Sequence, residues 1–218
     1  VLASDRRHVA SLHHLGIIAL QRGQAQVAAD MIGRAIAIND RIPDYHYNMA
    51  FALHALGRPG EAVVHYRQAV KLKPDYVEAH TNLGNLLREL GSHRDAVVCY
   101  ERVVALKPSA EAHYNLANAL SQLGRLDEAV ISYRHALALN PVLGGAHNNL
   151  ANALVAQGRP DEAVVHFQRA LELDPNLVEA HVNLGTCLVQ QERLDAAAIQ
   201  FERALSIDIV KVQGANTI

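Results

Sequence analysis

The sequence repeats itself at an interval of 34 residues, with one interval of 33. The repeat units span residues 9–42, 43–76, 77–109, 110–143, 144–177 and 178–209. A segment of this length is too short to bury an apolar core alone, so neighbouring units must stack on one another. The sequence therefore predicts an array of similar units, each packed on the next.

Each unit carries small and large apolar residues at fixed places. The eighth place is always glycine or alanine, and the twentieth place is always alanine. The twenty-fourth place holds Ile32, Tyr66, Tyr100, Tyr133, Phe167 and Phe201. Because protein interiors are closely packed, we expect the large side chains of this column to fill the space that the small residues leave.

Glycine and proline divide each unit into two stretches with helical periodicity. Glycine stands between the two stretches at Gly23, Gly57, Gly91, Gly124 and Gly158, with Glu192 in its place in the last unit. A glycine here suits the left-handed residue that ends many helices. Proline follows the second stretch at Pro74, Pro108, Pro141 and Pro175, since it cannot continue a helix. Near the start of the second stretch, Asp127, Asp161 and Asp195 are predicted to cap the helix.

This set of columns resembles the tetratricopeptide repeat family, whose signature places Leu-Gly, alanine, an aromatic residue and proline at fixed offsets. The resemblance covers roughly residues 9–209. It implies an all-α fold, a right-handed superhelical solenoid of stacked antiparallel helix pairs, with the first helices lining the concave side. We expect residues 1–8 to be the tail of a preceding helix or repeat, and residues 210–218 to be a C-terminal tail.

Asparagine recurs on the first helix of the units. The sixth place holds Asn48, Asn82, Asn115, Asn149 and Asn183, and the ninth holds Asn85, Asn118 and Asn152. A side-chain amide both donates and accepts hydrogen bonds, so a row of amides can bind the backbone of an extended peptide of any sequence. The row resembles the asparagine ladder in the repeat region of protein O-GlcNAc transferases. We expect it to form a peptide-binding groove with Tyr47 and Tyr114; the alternative is that the asparagines only bond neighbouring helices.

Histidine occupies the fourth place in five units, at His46, His80, His113, His147 and His181. A metal ion needs ligands within a few ångströms of one another, whereas these residues should lie one repeat apart, about 10 Å. We therefore expect them to pack the interfaces and to bind no metal. A second hypothesis is that their protonation near pH 6.5 makes the stacking of the units sensitive to pH.

Composition and motifs exclude several classes of function. The 20 basic and 22 acidic residues nearly cancel, so no strong field indicates binding to nucleic acid or to a membrane. The sequence has no phosphate-binding loop, zinc-ligand spacing or nucleophile elbow, and we expect no cofactor and no catalytic residue. The cysteines, Cys99 and Cys187, stand far apart, which favours a reduced, cytoplasmic setting. Cys187 is expected to be a small packing residue.

The sequence thus predicts a non-catalytic scaffold that binds an extended segment of a protein or peptide partner in an asparagine-lined groove. Two alternatives remain open. The chain could be the substrate-recognition portion of a larger enzyme, such as a glycosyltransferase. It could also be a self-assembly module that forms homo-oligomers through its terminal repeats.

Overall fold

The computed structural model describes residues 2–215, with side chains described for residues 8–207, and the secondary structure in this range is entirely helical. The helices are α1 (Leu2–Gln21), α2 (Ala25–Ile38), α3 (Pro43–Ala55), α4 (Pro59–Leu72), α5 (Val77–Glu89), α6 (His93–Leu106), α7 (Ala110–Gln122), α8 (Leu126–Leu139), α9 (Gly144–Ala156), α10 (Pro160–Leu173), α11 (Val178–Gln190) and α12 (Leu194–Ala215). Odd-numbered helices are the first helices of the six predicted repeats, and even-numbered helices are the second.

The helices are arranged in two compact units, residues 1–107 and residues 108–218. Within the first unit, the two helices of each repeat pack together, and α2 and α4 pack on the first helix of the next repeat. The second unit has the same arrangement, with α8 on α9 and α10 on α11. First helices of adjacent repeats also meet, as α1 does with α3 and α9 with α11. The predicted stacking of helix pairs is thus confirmed within each unit.

The turn between the two helices of a repeat has the predicted left-handed residue. Gly23, Gly57, Gly91, Gly124 and Gly158 have φ values of 70–74°. Glu192, in the place of this glycine, adopts a similar φ of 58°. The second helices also end where proline predicts, since α4 ends at Leu72 and α10 at Leu173, each two residues before a proline.

The core of the four middle repeats is built around the aromatic column, as predicted. Tyr66, Tyr100, Tyr133 and Phe167 are at most 2% exposed. The small residue of the eighth place lies directly against this ring: a Cβ atom added at Gly84 would lie 2.9 Å from Cε1 of Tyr100. The ring therefore fills the space that the absence of a side chain at glycine leaves open. Cys187 is 2% exposed, which confirms its packing role.

The capping role predicted for the aspartates is wrong. Arg125 and Arg159 hold the N-cap positions of α8 and α10, and neither makes a side-chain cap bond. Asp127 and Asp161 lie in the first helical turn instead, where a negative charge still favours the positive end of the helix. Asp195 likewise lies in the first turn of α12.

The first and last helices run beyond the predicted limits of the repeats. Residues 2–8 are continuous with α1. Residues 210–215 likewise continue α12. The repeat signature reports which residues pack on a neighbour, and a helix can continue beyond the last such residue. Residue 1 and residues 216–218 lie outside the described residues.

Candidate peptide-binding surface

The ten predicted site residues all lie on first helices, and all are partly buried. We call this set the asparagine row: Tyr47, Asn48, Asn82 and Asn85 in the first unit, and Tyr114, Asn115, Asn118, Asn149, Asn152 and Asn183 in the second. Places six and nine are three residues apart, so they share one helix face. Partial burial leaves each side chain in contact with both the protein and the solvent.

Three asparagines of the sixth place donate hydrogen bonds to the fifth place of the preceding repeat. The amide nitrogen of Asn82 lies 2.9 Å from the hydroxyl oxygen of Tyr47, and that of Asn149 lies 3.2 Å from the hydroxyl oxygen of Tyr114. Asn48 contacts Nε2 of His13 in the same way, at 2.9 Å. His13 was not among the predicted site residues, although it occupies the place that Tyr47 and Tyr114 hold in their own repeats.

A second set of bonds joins the sixth place to the ninth place of the preceding repeat. Asn149 donates to Oδ1 of Asn118 and Asn183 donates to Oδ1 of Asn152, both over 2.9 Å. Asn118 also accepts from the hydroxyl of the core residue Tyr133, at 2.7 Å. The asparagines therefore do bond neighbouring helices, as the alternative interpretation of the row required.

These bonds leave part of the amide capacity of the row unused. The carbonyl oxygens of Asn85 and Asn118 accept hydrogen bonds, but their amide nitrogens donate to no other described side chain. Asn115 is partly exposed, and no hydrogen bond joins its side chain to the part of the protein that the structure describes. A primary amide has two donor hydrogens and an acceptor oxygen, so each of these residues can still bind a ligand.

Carboxylates lie beside the row, in the first turn of the first helices. Asp44, Glu78, Glu111 and Glu179 hold the second place of their repeats. Asp44 accepts a hydrogen bond from the Tyr76 hydroxyl at 2.8 Å. Burial raises the pKa of Tyr47, which keeps its hydroxyl protonated and able to donate.

Fourth-place histidines of several repeats hold the turn that precedes the first helix. Nε2 of His46 lies 2.8 Å from the backbone carbonyl oxygen of Asp40, and His147 and His181 make the same contact, six residues back, with Pro141 and Pro175. These contacts fit the predicted packing role. Among residues 8–207, no group of three or more histidine, cysteine or acidic side chains is arranged as metal ligands.

The sequence analysis also missed a histidine on the second helix of two repeats. His65 and His166 stand nineteen residues after His46 and His147, and each ring stacks on its fourth-place partner with ring centroids 5.3 Å apart. The identical spacing in two repeats could have revealed both pairs.

Comparison with protein families decides what the array is. A family model described as "Tetratricopeptide repeat" matches residues 81–142 and 148–210, more than half of the 218 residues, and one described as "TPR repeat" matches residues 53–91. The chain belongs to the tetratricopeptide repeat family. Comparison with curated proteins gives no match.

Solved structures share this tetratricopeptide repeat fold. A crystal structure of MamA is 25% identical with a TM-score of 0.74, covering 76% of this chain and 97% of its own. MamA from Desulfovibrio magneticus RS-1 is 24% identical with a TM-score of 0.71, covering 78% and 97%. YrrB, described as a TPR protein with an unusual peptide-binding site, is 23% identical with a TM-score of 0.72, covering 88% and 100%. None of the helices in the described residues combines the length and hydropathy needed to cross a membrane.

Proposed function

We propose that this tetratricopeptide repeat protein is a non-catalytic interaction scaffold that binds an extended polypeptide segment along the asparagine row. The observation that carries the proposal is the unused hydrogen-bonding capacity of partly exposed amides, above all at Asn85, Asn115 and Asn118. A partly exposed amide without a partner in the described protein can exchange its hydrogen bonds to water for bonds to a ligand.

The spacing of the repeats suits an extended backbone. Neighbouring helices in proteins pack about 8–10 Å apart. An extended peptide advances about 3.3 Å per residue, so every third peptide residue can meet an equivalent asparagine. Within each unit, the row can therefore bind backbone amides and carbonyls at a regular interval without reading the peptide's side chains.

The bonds within the row support the same function. The bonds from Asn149 to Tyr114 and Asn118, and from Asn183 to Asn152, fix the orientation of the amides before a ligand arrives. A side chain that is already ordered loses less conformational entropy on binding, and this loss is about 0.5–1.5 kcal/mol for each immobilised flexible side chain. The internal bonds and peptide binding are thus complementary roles of one side chain.

The non-catalytic part of the proposal follows from what the conspicuous residues do. The buried histidines His46, His147 and His181 hold turns, and the tyrosines of the core column fill the repeats. Repeat arrays present extended surfaces for binding. The other interpretation, a substrate-recognition portion of an enzyme such as a glycosyltransferase, stays a prediction.

Selection of peptides tests the proposal. Short peptides selected from a random library against the chain should bind the Asn115→Ala variant at least about fivefold more weakly, the equivalent of one hydrogen bond. Asn115 makes no bond within the described protein, so the variant should melt at the same temperature. Asn176→Ala, the same change at an exposed turn residue, is the control. Equal binding to all three proteins would show that the row is scaffold only.

One observation favours self-assembly as a second candidate. Leu15 on α1 is 53% exposed, whereas Leu83, Leu116, Leu150 and Leu184 at the same place of later repeats are at most 8% exposed. Ile18, on the same helix, is 43% exposed. A second copy of the chain could cover this face. A monomer mass that does not change with concentration in light scattering would contradict this candidate.

A further inference from the structure

Two pairs of histidine rings stand in the same place of two different repeats. Nδ1 of His46 lies 3.1 Å from Nδ1 of His65, between α3 and α4. Nδ1 of His147 lies 3.1 Å from Nδ1 of His166, between α9 and α10. The rings are nearly parallel in both pairs, with interplanar angles of 26° and 29°. The geometry is therefore a repeated feature, present once in each unit.

The hydrogen bonds of each pair determine which nitrogen carries a proton. Nε2 of His46 faces the carbonyl oxygen of Asp40 at 2.8 Å, and a carbonyl can only accept, so this nitrogen donates. In the neutral ring, Nδ1 of His46 then has a lone pair, which accepts from Nδ1 of His65. His147 has the same arrangement, because its Nε2 lies 3.1 Å from the carbonyl oxygen of Pro141. The first histidine of each pair is thus held with Nδ1 unprotonated.

This is the arrangement in which proteins hold a metal-binding histidine. Such a residue commonly donates its second ring N–H to a backbone carbonyl, which fixes the tautomer and orients the ligand nitrogen. Two nitrogens about 2.05 Å from one metal ion lie about 3.3 Å apart in a tetrahedral site and about 2.9 Å apart at a right angle. The observed 3.1 Å separations lie between these values.

We propose that His46 with His65, and His147 with His166, form two separate dihistidine sites for a divalent transition-metal ion that prefers imidazole, such as Ni²⁺, Cu²⁺ or Zn²⁺. When the ion binds, the second histidine of each pair loses its proton at Nδ1 and gains one at Nε2. A neutral pair therefore binds the ion without net release of protons. Water completes the coordination. The proposal is independent of the asparagine row, because the pairs lie between the two helices of a repeat.

A carboxylate lies near each pair. Glu61 and Glu162 lie one helical turn before His65 and His166, and each carboxylate interacts with the charge of its histidine. Glu61 is paired with Arg58 at 2.7 Å, so it contributes to the field and is not counted as a ligand.

Charged groups around the second pair partly offset one another. Arg169 and Glu172 act in opposite directions on His147, and Arg134 and Glu162 do so on His166. Arg134 and Glu162 also form an ion pair, at 3.1 Å. Glu162 is also paired with Arg159 at 2.6 Å, so the two carboxylates offset the charge of the three arginines only in part.

The last repeat supplies a comparison within the same chain. His181 keeps its contact with the carbonyl oxygen of Pro175, at 3.0 Å, but Gln200 stands nineteen residues later in place of a histidine. Nδ1 of His181 lies 2.8 Å from Oε1 of Gln200. Glutamine therefore fits this place in the fold but does not provide an imidazole ligand.

Calorimetric titration with NiCl₂ tests the proposal. We expect the unmodified chain to bind two ions more tightly than any others. The double variant His65→Gln and His166→Gln should lose both tight sites, with affinity there falling at least about tenfold. Gln200→His should add one ion. His54→Gln removes an exposed histidine outside the pairs and should change nothing at the two tight sites. Unchanged stoichiometry in the double variant would overturn the proposal.

A measurement on the unmodified chain does not depend on how the variants fold. In imidazole ¹H–¹⁵N spectra, addition of ZnCl₂ should shift the Nδ1 resonances of His46, His65, His147 and His166, and leave Nδ1 of His181 in place. Shifts confined to exposed histidines such as His54 would mean adventitious binding only and would contradict the two sites.

Discussion

The side-chain amide of Asn82 donates a hydrogen bond to the hydroxyl of Tyr47, one repeat earlier and 2.9 Å away. Asn149 and Tyr114 have the same relationship in the second unit. Residues that sequence reasoning assigned to a ligand thus also join neighbouring repeats. The two interpretations of the asparagines are compatible where amide groups remain unused, as at Asn118, whose nitrogen donates to no other described side chain. Asn149 differs, because its amide donates to both Tyr114 and Asn118.

Removal of the Tyr47 hydroxyl should destabilise the stack of repeats. We expect Tyr47→Phe to lower the free energy of unfolding by about 0.5–1.5 kcal/mol, because the amide of Asn82 loses a partner at a partly buried position. Tyr45→Phe is the matched control, since the hydroxyl of Tyr45 makes no hydrogen bond within the described residues. Urea denaturation followed by circular dichroism measures both. Equal midpoints for the two variants would mean that the Asn82–Tyr47 bond contributes nothing.

A methyl group added at Gly84 should also destabilise the fold. Its Cβ would lie 2.9 Å from Cε1 and 3.1 Å from Cζ of the buried Tyr100 ring, which has no room to move. Overpacking of this kind costs about 1–3 kcal/mol. Gly60→Ala, where the added Cβ meets nothing within 4 Å, should leave the denaturation midpoint unchanged or raise it. A midpoint for Gly84→Ala as high as that of Gly60→Ala would contradict the packing described for Gly84 and Tyr100.

The last hairpin turn should become more stable when its glutamate is replaced. Glu192 has a φ of 58°, a conformation that is strained for residues with a Cβ atom and that glycine adopts in the five other turns. We expect Glu192→Gly to stabilise the chain by about 0.5–1 kcal/mol, and Gly158→Glu to destabilise it by a similar amount. Thermal melting of the two variants should therefore shift in opposite directions. A lower melting temperature for Glu192→Gly would show that the glutamate side chain itself stabilises the turn.

Acidification should destabilise the protein. Burial is the main cause that lowers the pKa of His13, His65, His80, His113, His147 and His166 below the ordinary 6.5. Below about pH 6.5 the unfolded chain then binds more protons than the folded chain, so stability is fully present above this pH and declines as the pH falls towards the lowered pKa values. Glu61 and Glu162 oppose the shifts of His65 and His166 without reversing them.

Melting temperatures measured between pH 7.5 and 5.5 test this dependence. We expect a decrease with falling pH, and a smaller decrease in the double variant His65→Gln and His166→Gln, which removes two of the groups whose pKa is lowered. A melting temperature that stays constant over the range would contradict the pH-sensitive stacking.

The helical hairpins could be predicted from the sequence because their determinants are local and repeated. Gly57 and Gly158 mark their turns through a backbone conformation that only glycine adopts without strain, and Pro74 and Pro175 mark the ends of second helices. The aromatic column was equally predictable, since a small residue on the first helix and a large residue on the second recur at fixed places of the repeat. Each of these signals lies within one repeat and recurs in most of the others.

The contacts of the candidate sites could not be predicted in the same way. The bond between Asn149 and Tyr114 joins different repeats, and the contact between His46 and His65 joins two helices, so both depend on how the helices are rotated against each other. The fourth-place histidines lie one repeat apart from one another. Their partners stand in a different column, on the second helix of the same repeat. The capping prediction for the aspartates failed for another reason. Aspartate favours the cap position, but Asp127 lies two residues after it.

Side-chain amide spectra offer the most direct test of peptide binding along the asparagine row. A selected peptide would be titrated into ¹⁵N-labelled protein, and the ¹H–¹⁵N resonances of the asparagine side chains would be followed. We predict shifts at Asn115 and Asn118 of the second unit, which have unused amide groups, and none at Asn176, which lies in an exposed turn. A peptide that binds while these two resonances stay in place would contradict the proposed surface.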